Sequence, residues 1–255
     1  MNNNTLSPRV SVITACYNSQ HTIRDAIESV QQQSYSNWEM IIVDDCSSDN
    51  TCEIINEYIV FDSRVKLIKC DQPSGSPTKP RNIAIENATG RYIAFIDSDD
   101  MWHKHKLERQ IKLAQESKSP FVFSNYEKMN AKGEVNNRIV EAPAIVTIKD
   151  MYYGNPIGCL TALIDRDVFP NFKFKKIGHE DCVAWIEILQ RGYKAYNTNS
   201  VEAVYRESNN SVSSNKLTIL HWQWNIYRHI LNFNIFKSLY YYTHYAINGL
   251  IKSLK

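Results

Sequence analysis

The chain alternates short β-branched apolar runs with helical segments, and each early run stops at a cluster of small polar or acidic residues. Val10-Ser11-Val12-Ile13-Thr14-Ala15 reads as a buried strand ending at Tyr17-Asn18. Met40-Ile41-Ile42-Val43 ends at Asp44-Asp45, Val65 to Ile68 forms a third run, and Tyr92 to Ile96 ends at Asp97. Between them Ile23, Ala26, Ile27 and Val30 recur at helical spacing, with Asn18 or Ser19 as the expected cap. Ser47-Ser48-Asp49 is expected to cap a second helix through Ile54, Ile55 and Tyr58. Asn82 to Asn87 belongs to a third helix, with Gly90 as its left-handed end. Strand-helix alternation predicts an α/β domain with a mainly parallel central sheet. In such sheets ligands bind at the carboxyl edge of the strands, where every one of these polar clusters falls.

The pattern loosens after Lys118. Phe121 to Phe123 and Ala162 to Ile164 read as further strands, and Asp181 to Arg191 as a helix. We expect one catalytic domain over residues 8–214 and an amphipathic helical extension over 215–255.

The sharpest chemistry lies in Asp97-Ser98-Asp99-Asp100. Three carboxylates within four residues repel each other unless solvated or shared with a cation, and Mg²⁺ or Mn²⁺ bridges such oxygens to phosphates. A solvated acidic turn capping a helix that begins near Trp102 explains the same residues. A phosphatase of the haloacid dehalogenase type also places its Asp after a strand, but Met101 stands where Thr or Val is wanted. Asp44 and Asp45 are suited either to a uracil imide N–H or to helix capping. Tyr17 offers a face for a base, or is a rim aromatic. Gly178-His179-Glu180-Asp181 provides a general base or an acidic helix cap, and His179 alone is a weak metal ligand. No G-x-x-x-x-G-K-[ST] or G-x-G-x-x-G pattern occurs, which disfavours a P-loop NTPase or a dinucleotide enzyme.

These segments together resemble the family 2 glycosyltransferases of the type A, nucleotide-diphospho-sugar fold. The matching stretches are Val10–Asn18, Ile42–Asp49, Arg81-Asn82, Phe95–Asp100, His179–Asp181 and Tyr205–Ser208, in the family's order. The resemblance implies an inverting transferase with a UDP-sugar donor and Mn²⁺ or Mg²⁺ as cofactor. It implies that Tyr17 stacks on uracil while Asp45 accepts its N3–H, with Thr14, Asn18 and Asp44 beside them. Asp97 and Asp99 form the D-x-D pair, Asp97 toward the ribose or sugar and Asp99 on the metal. Ser98 and Asp100 adjoin them, and Arg81 lies near the donor. Asp181 is the implied general base, beside Glu180. Arg206 is expected in a Ser-rich loop, Ser208 to Ser214, that closes over the diphosphate. Thr78-Lys79-Pro80 and Cys46 depart from the usual loop residues. A sugar-phosphate nucleotidyltransferase shares the fold, but its Gly-rich basic loop is missing between Thr14 and Gln20. A non-catalytic sugar-nucleotide binder docked on a membrane is the other alternative.

Charge divides the chain. Lys and Arg total 29 against 27 acids, a net charge of +2, which excludes a strongly basic nucleic-acid binder. No acid follows Glu207, so the last segment carries +5, while the other 24 basic residues face all 27 acids, a net −3. Trp222, Trp224, Tyr227, Phe233, Phe236, Tyr240, Tyr241, Tyr242 and Tyr245 crowd that basic end. Such helices suit an anionic membrane surface, or pack their aromatics on the catalytic domain. The resemblance favours membrane docking, with an undecaprenyl-diphosphate-linked saccharide as acceptor in O-antigen or capsule synthesis. Six cysteines without a C-x-x-C pair, no secretory signal and no membrane-length apolar run make the cytoplasm the expected compartment, and the resemblance implies a peripheral position on the inner face of the membrane.

Overall fold

Val10–Cys16 (β1) lies between two parallel partners, which is why its β-branched residues are buried on both faces. The computed structural model describes residues 7–207 and 216–253. β1 pairs on one side with Trp38–Asp44 (β2), Val10 opposite Trp38, and on the other with Tyr92–Phe95 (β4), Val10 opposite Tyr92. Val65–Lys69 (β3) extends the parallel half beyond β2. Ile23–Gln31 (α1) and Thr51–Phe61 (α2) connect these strands, and Thr78–Glu86 (α3) carries the chain back across to β4.

The second half is mixed. Met101–Trp102 (β5), Lys106–Ser117 (α4), Phe121–Met129 (β6), Val135–Val140 (β7), Ile145–Val146 (β8) and Leu163–Asp165 (β9) precede Glu180–Gln190 (α5) and Ala195–Arg206 (β10). The sheet runs β3-β2-β1-β4-β9-β6-β10-β5, with β7 on β6 and β8 on β10. β9 is antiparallel to both β4 and β6, while β6 and β10 are parallel.

Several local expectations change. No side chain caps α1. It starts behind Thr22, and the Ser19 carbonyl takes the Thr22 and Ile23 N–H groups. Asn18 instead adopts a left-handed backbone, φ 48°, and its Oδ1 accepts the Ser48 N–H at 2.8 Å. Of the second cluster, Asp49 serves the helix start, accepting the Thr51 N–H at 3.0 Å, while Ser47 turns back to Asp44. Gly90 is not the end of α3, which stops at Asn87 in an ordinary right-handed conformation. A Cβ on Gly90 would lie 2.7 Å from the Ser11 nitrogen and 2.8 Å from the Arg9 oxygen, so the glycine permits a close backbone approach. Trp102 does not open a helix. It pairs with Ala203 across β5 and β10, and its Nε1 donates to the Leu160 carbonyl at 3.0 Å.

Two apolar layers cover the sheet. Ile27, Ile42, Ile55, Leu107 and Ile111 share one, and Ile13, Ala84, Phe95, Phe121 and Trp185 the other. Trp185 is fully buried among Phe95, Phe121, Phe172 and Phe174, and a side chain of that size contributes about 3 kcal/mol. The C-terminal helices Lys216–Asn225 (α6) and Ile235–Ser253 (α7), joined by a π-helical turn over Ile226–Ile230, pack back on this side. Ile226 enters the core, and Tyr227 stacks on Phe233 and donates to the Tyr152 carbonyl at 2.8 Å. No helix among the described residues is long and apolar enough to cross a membrane.

Candidate active site

α1 and α2 carry the chain outward from β1 through β2 to β3, and α3 returns it to the far side of β1. The carboxyl ends of β1 and β4 therefore flank the point where strand order reverses. Hydroxyls from the two ends meet there, Ser19 Oγ to Ser98 Oγ at 2.7 Å. A cavity of about 980 Å³ opens over this edge, lined by Tyr17, Arg81, Asp97 to Asp100, Glu180 and Asp181. Beside it, Tyr17 and Asp45 line a smaller recess of about 370 Å³ with Pro73, Gly75 and Pro77.

Arg81 joins two of the acidic segments. Its buried guanidinium donates to Glu180 Oε1 at 2.9 Å and to Asp97 Oδ1 at 2.5 Å. α3 supplies the arginine, and the α5 start and the β4 end supply the acids. Asp99 and Asp100 have no such relief. Burial and then Asp97 push the Asp99 carboxyl up to about 6. Burial, Asp97 and Asp99 raise Asp100 well above the usual carboxylate range. Asp100 Oδ1 accepts the Arg206 N–H at 3.0 Å, while its Oδ2 is buried without a partner.

Asp181 sits in the first turn of α5. Burial, then Glu180, raises its carboxyl to about 6. Its Oδ2 accepts the Asn155 amide at 3.0 Å and its Oδ1 the Cys182 N–H at 2.7 Å. His179, just before the helix, has a left-handed backbone with φ 58°, a conformation that costs about 1–3 kcal/mol and is often found at functional sites. Burial lowers the pKa of its imidazole, and the ring meets Trp222 edge-on at 5.3 Å.

These residues are fitted to hold a divalent cation. Among the described residues no basic side chain forms an ion pair with Asp99, and the orphaned Asp100 oxygen lies next to it. No three Asp, Glu, His or Cys side chains converge as a ready cage among the described residues. An ion on Asp99 would thus complete its shell with phosphate oxygens and water, the usual habit of Mg²⁺.

Other expected site residues do not line the larger cavity. Thr14 is fully buried and its hydroxyl has no partner. Asp44 is buried and spends its carboxylate on Ser47 and the Cys16 thiol. Asn18 bridges to Ser48. Both oxygens of Asp45 accept the Ser74 N–H, at 2.9 and 3.0 Å. Arg206 is the last residue of β10 and not part of a loop. Its guanidinium backs the acidic turn, donating to the Asp99 carbonyl at 2.8 Å and to Asp25 at 2.7 Å. The Ser208 to Ser214 loop lies outside the described residues. The lining residues not anticipated as site residues include Tyr126, Asn155 and Trp222. Their separations in sequence carry no local motif. Trp222 was visible only as one aromatic of the extension.

A parallel nucleotide-type half-sheet, a mixed second half and an acidic turn at the switch point define a glycosyltransferase of type A fold. Residues 11–162 match the family described as Glycosyl transferase family 2, and the chain belongs to that family. It is 40% identical over 248 residues to the putative teichuronic acid biosynthesis glycosyltransferase TuaG of Bacillus subtilis, covering 97% of this chain and 98% of that protein. It is 38% identical over 247 residues to the UDP-Glc:alpha-D-GlcNAc-diphosphoundecaprenol beta-1,3-glucosyltransferase WfgD of Escherichia coli, covering 95% and 94%. The fold is shared with S. aureus TarS 1-349 in complex with UDP-GlcNAc, at TM-score 0.72 and 21% identity over 93% of this chain and 71% of that one.

Proposed function

We propose that this glycosyltransferase moves a hexose from a UDP-sugar to a hydroxyl of a lipid-linked saccharide, with inversion at the anomeric carbon. The observation that carries the reading is the meeting of Asp97, Asp99 and Asp181 on one cavity at the sheet's switch point. In this reading Tyr17 stacks on uracil, which its exposure of more than half beside Asp45 supports. Ser74 occupies the Asp45 carboxylate, so uracil binding at that residue requires the Ser74 turn to yield.

Asp181 acts as the base. A carboxyl raised to about 6 is ionised at neutral pH yet basic enough to take a proton from an attacking hydroxyl. Asn155 orients it. Arg81 holds Asp97 and Glu180 in register across the donor side. Asp99 would hold a divalent cation, which would supply charge neutralisation for the departing diphosphate. A single displacement on an α-linked donor yields a β-glycoside.

WfgD is named for UDP-glucose and a GlcNAc-diphosphoundecaprenol acceptor, which makes a glucose-type hexose and that acceptor class our first choices. We assign the product to surface polysaccharide of the O-antigen or capsule kind. Residues 8–214 form the catalytic unit in this reading, and the extension completes the acceptor side through Trp222. Peripheral docking on an anionic membrane is supported by Phe236, Leu239, Tyr240 and Ile247, exposed on α7, and by the basic charge of the extension.

The test is transfer from a panel of UDP-sugars, with Mn²⁺, to a synthetic GlcNAc-diphosphate-lipid, with product linkage read by NMR. A β-linked hexose product is expected. An α-linked product, or UDP release without any sugar transfer, would overturn the reading.

A further inference from the structure

A second cleft, of about 760 Å³, lies against the reaction cavity. Its walls are largely apolar, with Pro143, Tyr153, Leu220, Tyr245 and Ala246 among them. The size and the apolar lining are those of a ligand site rather than of a packing defect, for such sites run to about 300–1,000 Å³. The two spaces adjoin, with Asn155, Pro156 and His179 on the walls of both. Asn155 also holds the Asp181 carboxylate. A molecule with one end at Asp181 therefore has an apolar cleft on the far side of Asn155. Among the described residues the one carboxylate on the cleft is Asp150, whose Oδ2 accepts the Thr147 N–H and hydroxyl at 2.7 and 2.6 Å.

α7 supplies one wall through Tyr245, Ala246 and Gly249, and the same helix exposes Phe236, Leu239, Tyr240 and Ile247. α6 supplies another through Ile219 and Leu220. The basic extension thus builds part of a largely non-polar cleft beside the cavity, with no acid of its own to repel a diphosphate.

We propose that this cleft binds the first segment of the hydrocarbon chain of the lipid-linked acceptor, so that the enzyme measures its acceptor by its lipid as well as its sugar. The inference rests on the lipid-linked reading above. It gives α6 and α7 a role in substrate selection separate from membrane docking.

The experiment compares two acceptors on the full chain, GlcNAc-α-diphosphate carrying a farnesyl chain and the same headgroup as its methyl ester. Wild-type KM is expected to be about ten-fold lower for the farnesyl acceptor, a tenfold change in KM being about 1.4 kcal/mol. Gly249→Trp fills the cleft. A Cβ at Gly249 meets nothing within 4 Å, so the helix accepts a side chain there. The variant should raise the farnesyl KM about ten-fold and leave the methyl-ester and UDP-hexose KM values within about two-fold. Gly249→Leu, with a smaller side chain, should give a smaller rise in the same direction. Equal wild-type KM for the two acceptors would overturn the cleft while sparing the lipid-linked reading. So would a Gly249→Trp enzyme with native circular dichroism and unchanged farnesyl KM. Turnover of a free saccharide but of neither diphosphate would refute the lipid-linked reading itself, and the cleft proposal with it.

Discussion

The amide nitrogen of Asn155 lies 3.0 Å from Oδ2 of Asp181, although 26 residues separate them. A donor aimed at a carboxylate favours its charged form. Asn155 thus restrains a pKa that burial and Glu180 push up to about 6. Asn155→Ala should move the acidic limb of the kcat/KM profile to higher pH, by about 0.5–1 unit. Asn155→Asp, a like charge, should move it further. A pH-rate profile identical to wild type in both variants would remove Asn155 from this role.

Asp181→Asn should reduce transfer by about 10²–10⁴-fold, the usual worth of a general base, with UDP affinity retained in calorimetry. The same change should stabilise the protein at pH 7. The folded state raises this carboxyl from an ordinary value near 4 to about 6. Folded protein therefore binds more protons in that window, and stability falls as pH rises through it and stays lower above it. An uncharged amide escapes that loss. Each recovered kcal/mol raises Tm by about 2–4 °C in a chain of this size. Near-wild-type turnover, or a lower Tm at pH 7, would contradict the assignment.

Arg81 is the buried cation between Asp97 and Glu180. Arg81→Met leaves two carboxylates without their partner and should cost about 3–5 kcal/mol, read by urea unfolding. Arg81→Lys keeps the charge but reaches only one acid well, and should recover part of the stability and little of the activity. Unfolding midpoints equal to wild type in Arg81→Met would show that water replaces the bridge.

Asp99→Ala should abolish the gain in UDP affinity on adding Mn²⁺ while leaving the weak metal-free affinity in place. Titration calorimetry with and without the ion separates the two. A preserved Mn²⁺ effect would move the ion to other ligands.

Gly90→Ala places a methyl group against the backbone of Ser11 and Arg9 at less than 3 Å. Backbone on both sides of the β1–β4 pair cannot yield as a side chain would. The expected cost is about 1–3 kcal/mol, visible as a lower melting temperature. An unchanged melting temperature would mean that β1 and β4 separate at little cost.

β1, β2 and β4 were legible because they are buried on both faces and read as continuous apolar runs. β10 was not foreseen. Asn197, Ser200 and Glu202 interrupt its hydrophobicity, and they are tolerated because each finds a partner, Asn197 with Asn125 and Glu202 with Ser200 and Arg109. A polar strand of that kind depends on groups tens of residues away, and no local window contains them. The helix starts were misread for a related reason. Asn18, Ser19 and Ser47 have cap chemistry, yet their side chains hold neighbouring strand ends together instead of capping α1 or α2.

The site divides along the same line. Sequence alone determined which acids stand at strand and helix ends, because covalent order places Asp97 to Asp100 after β4 and Asp181 in the first turn of α5. It also determined that the last 48 residues are basic and aromatic. Only the tertiary structure decided which of these groups share a cavity. It left Asp44, Thr14 and Arg206 off the wall of the larger cavity, joined Asp97 to Glu180 through Arg81, and brought Asn155 and Trp222 to Asp181's side. Those choices follow from sheet order and from the return of α6 and α7 onto the core, where burial and charge pairing are settled by neighbours distant along the chain.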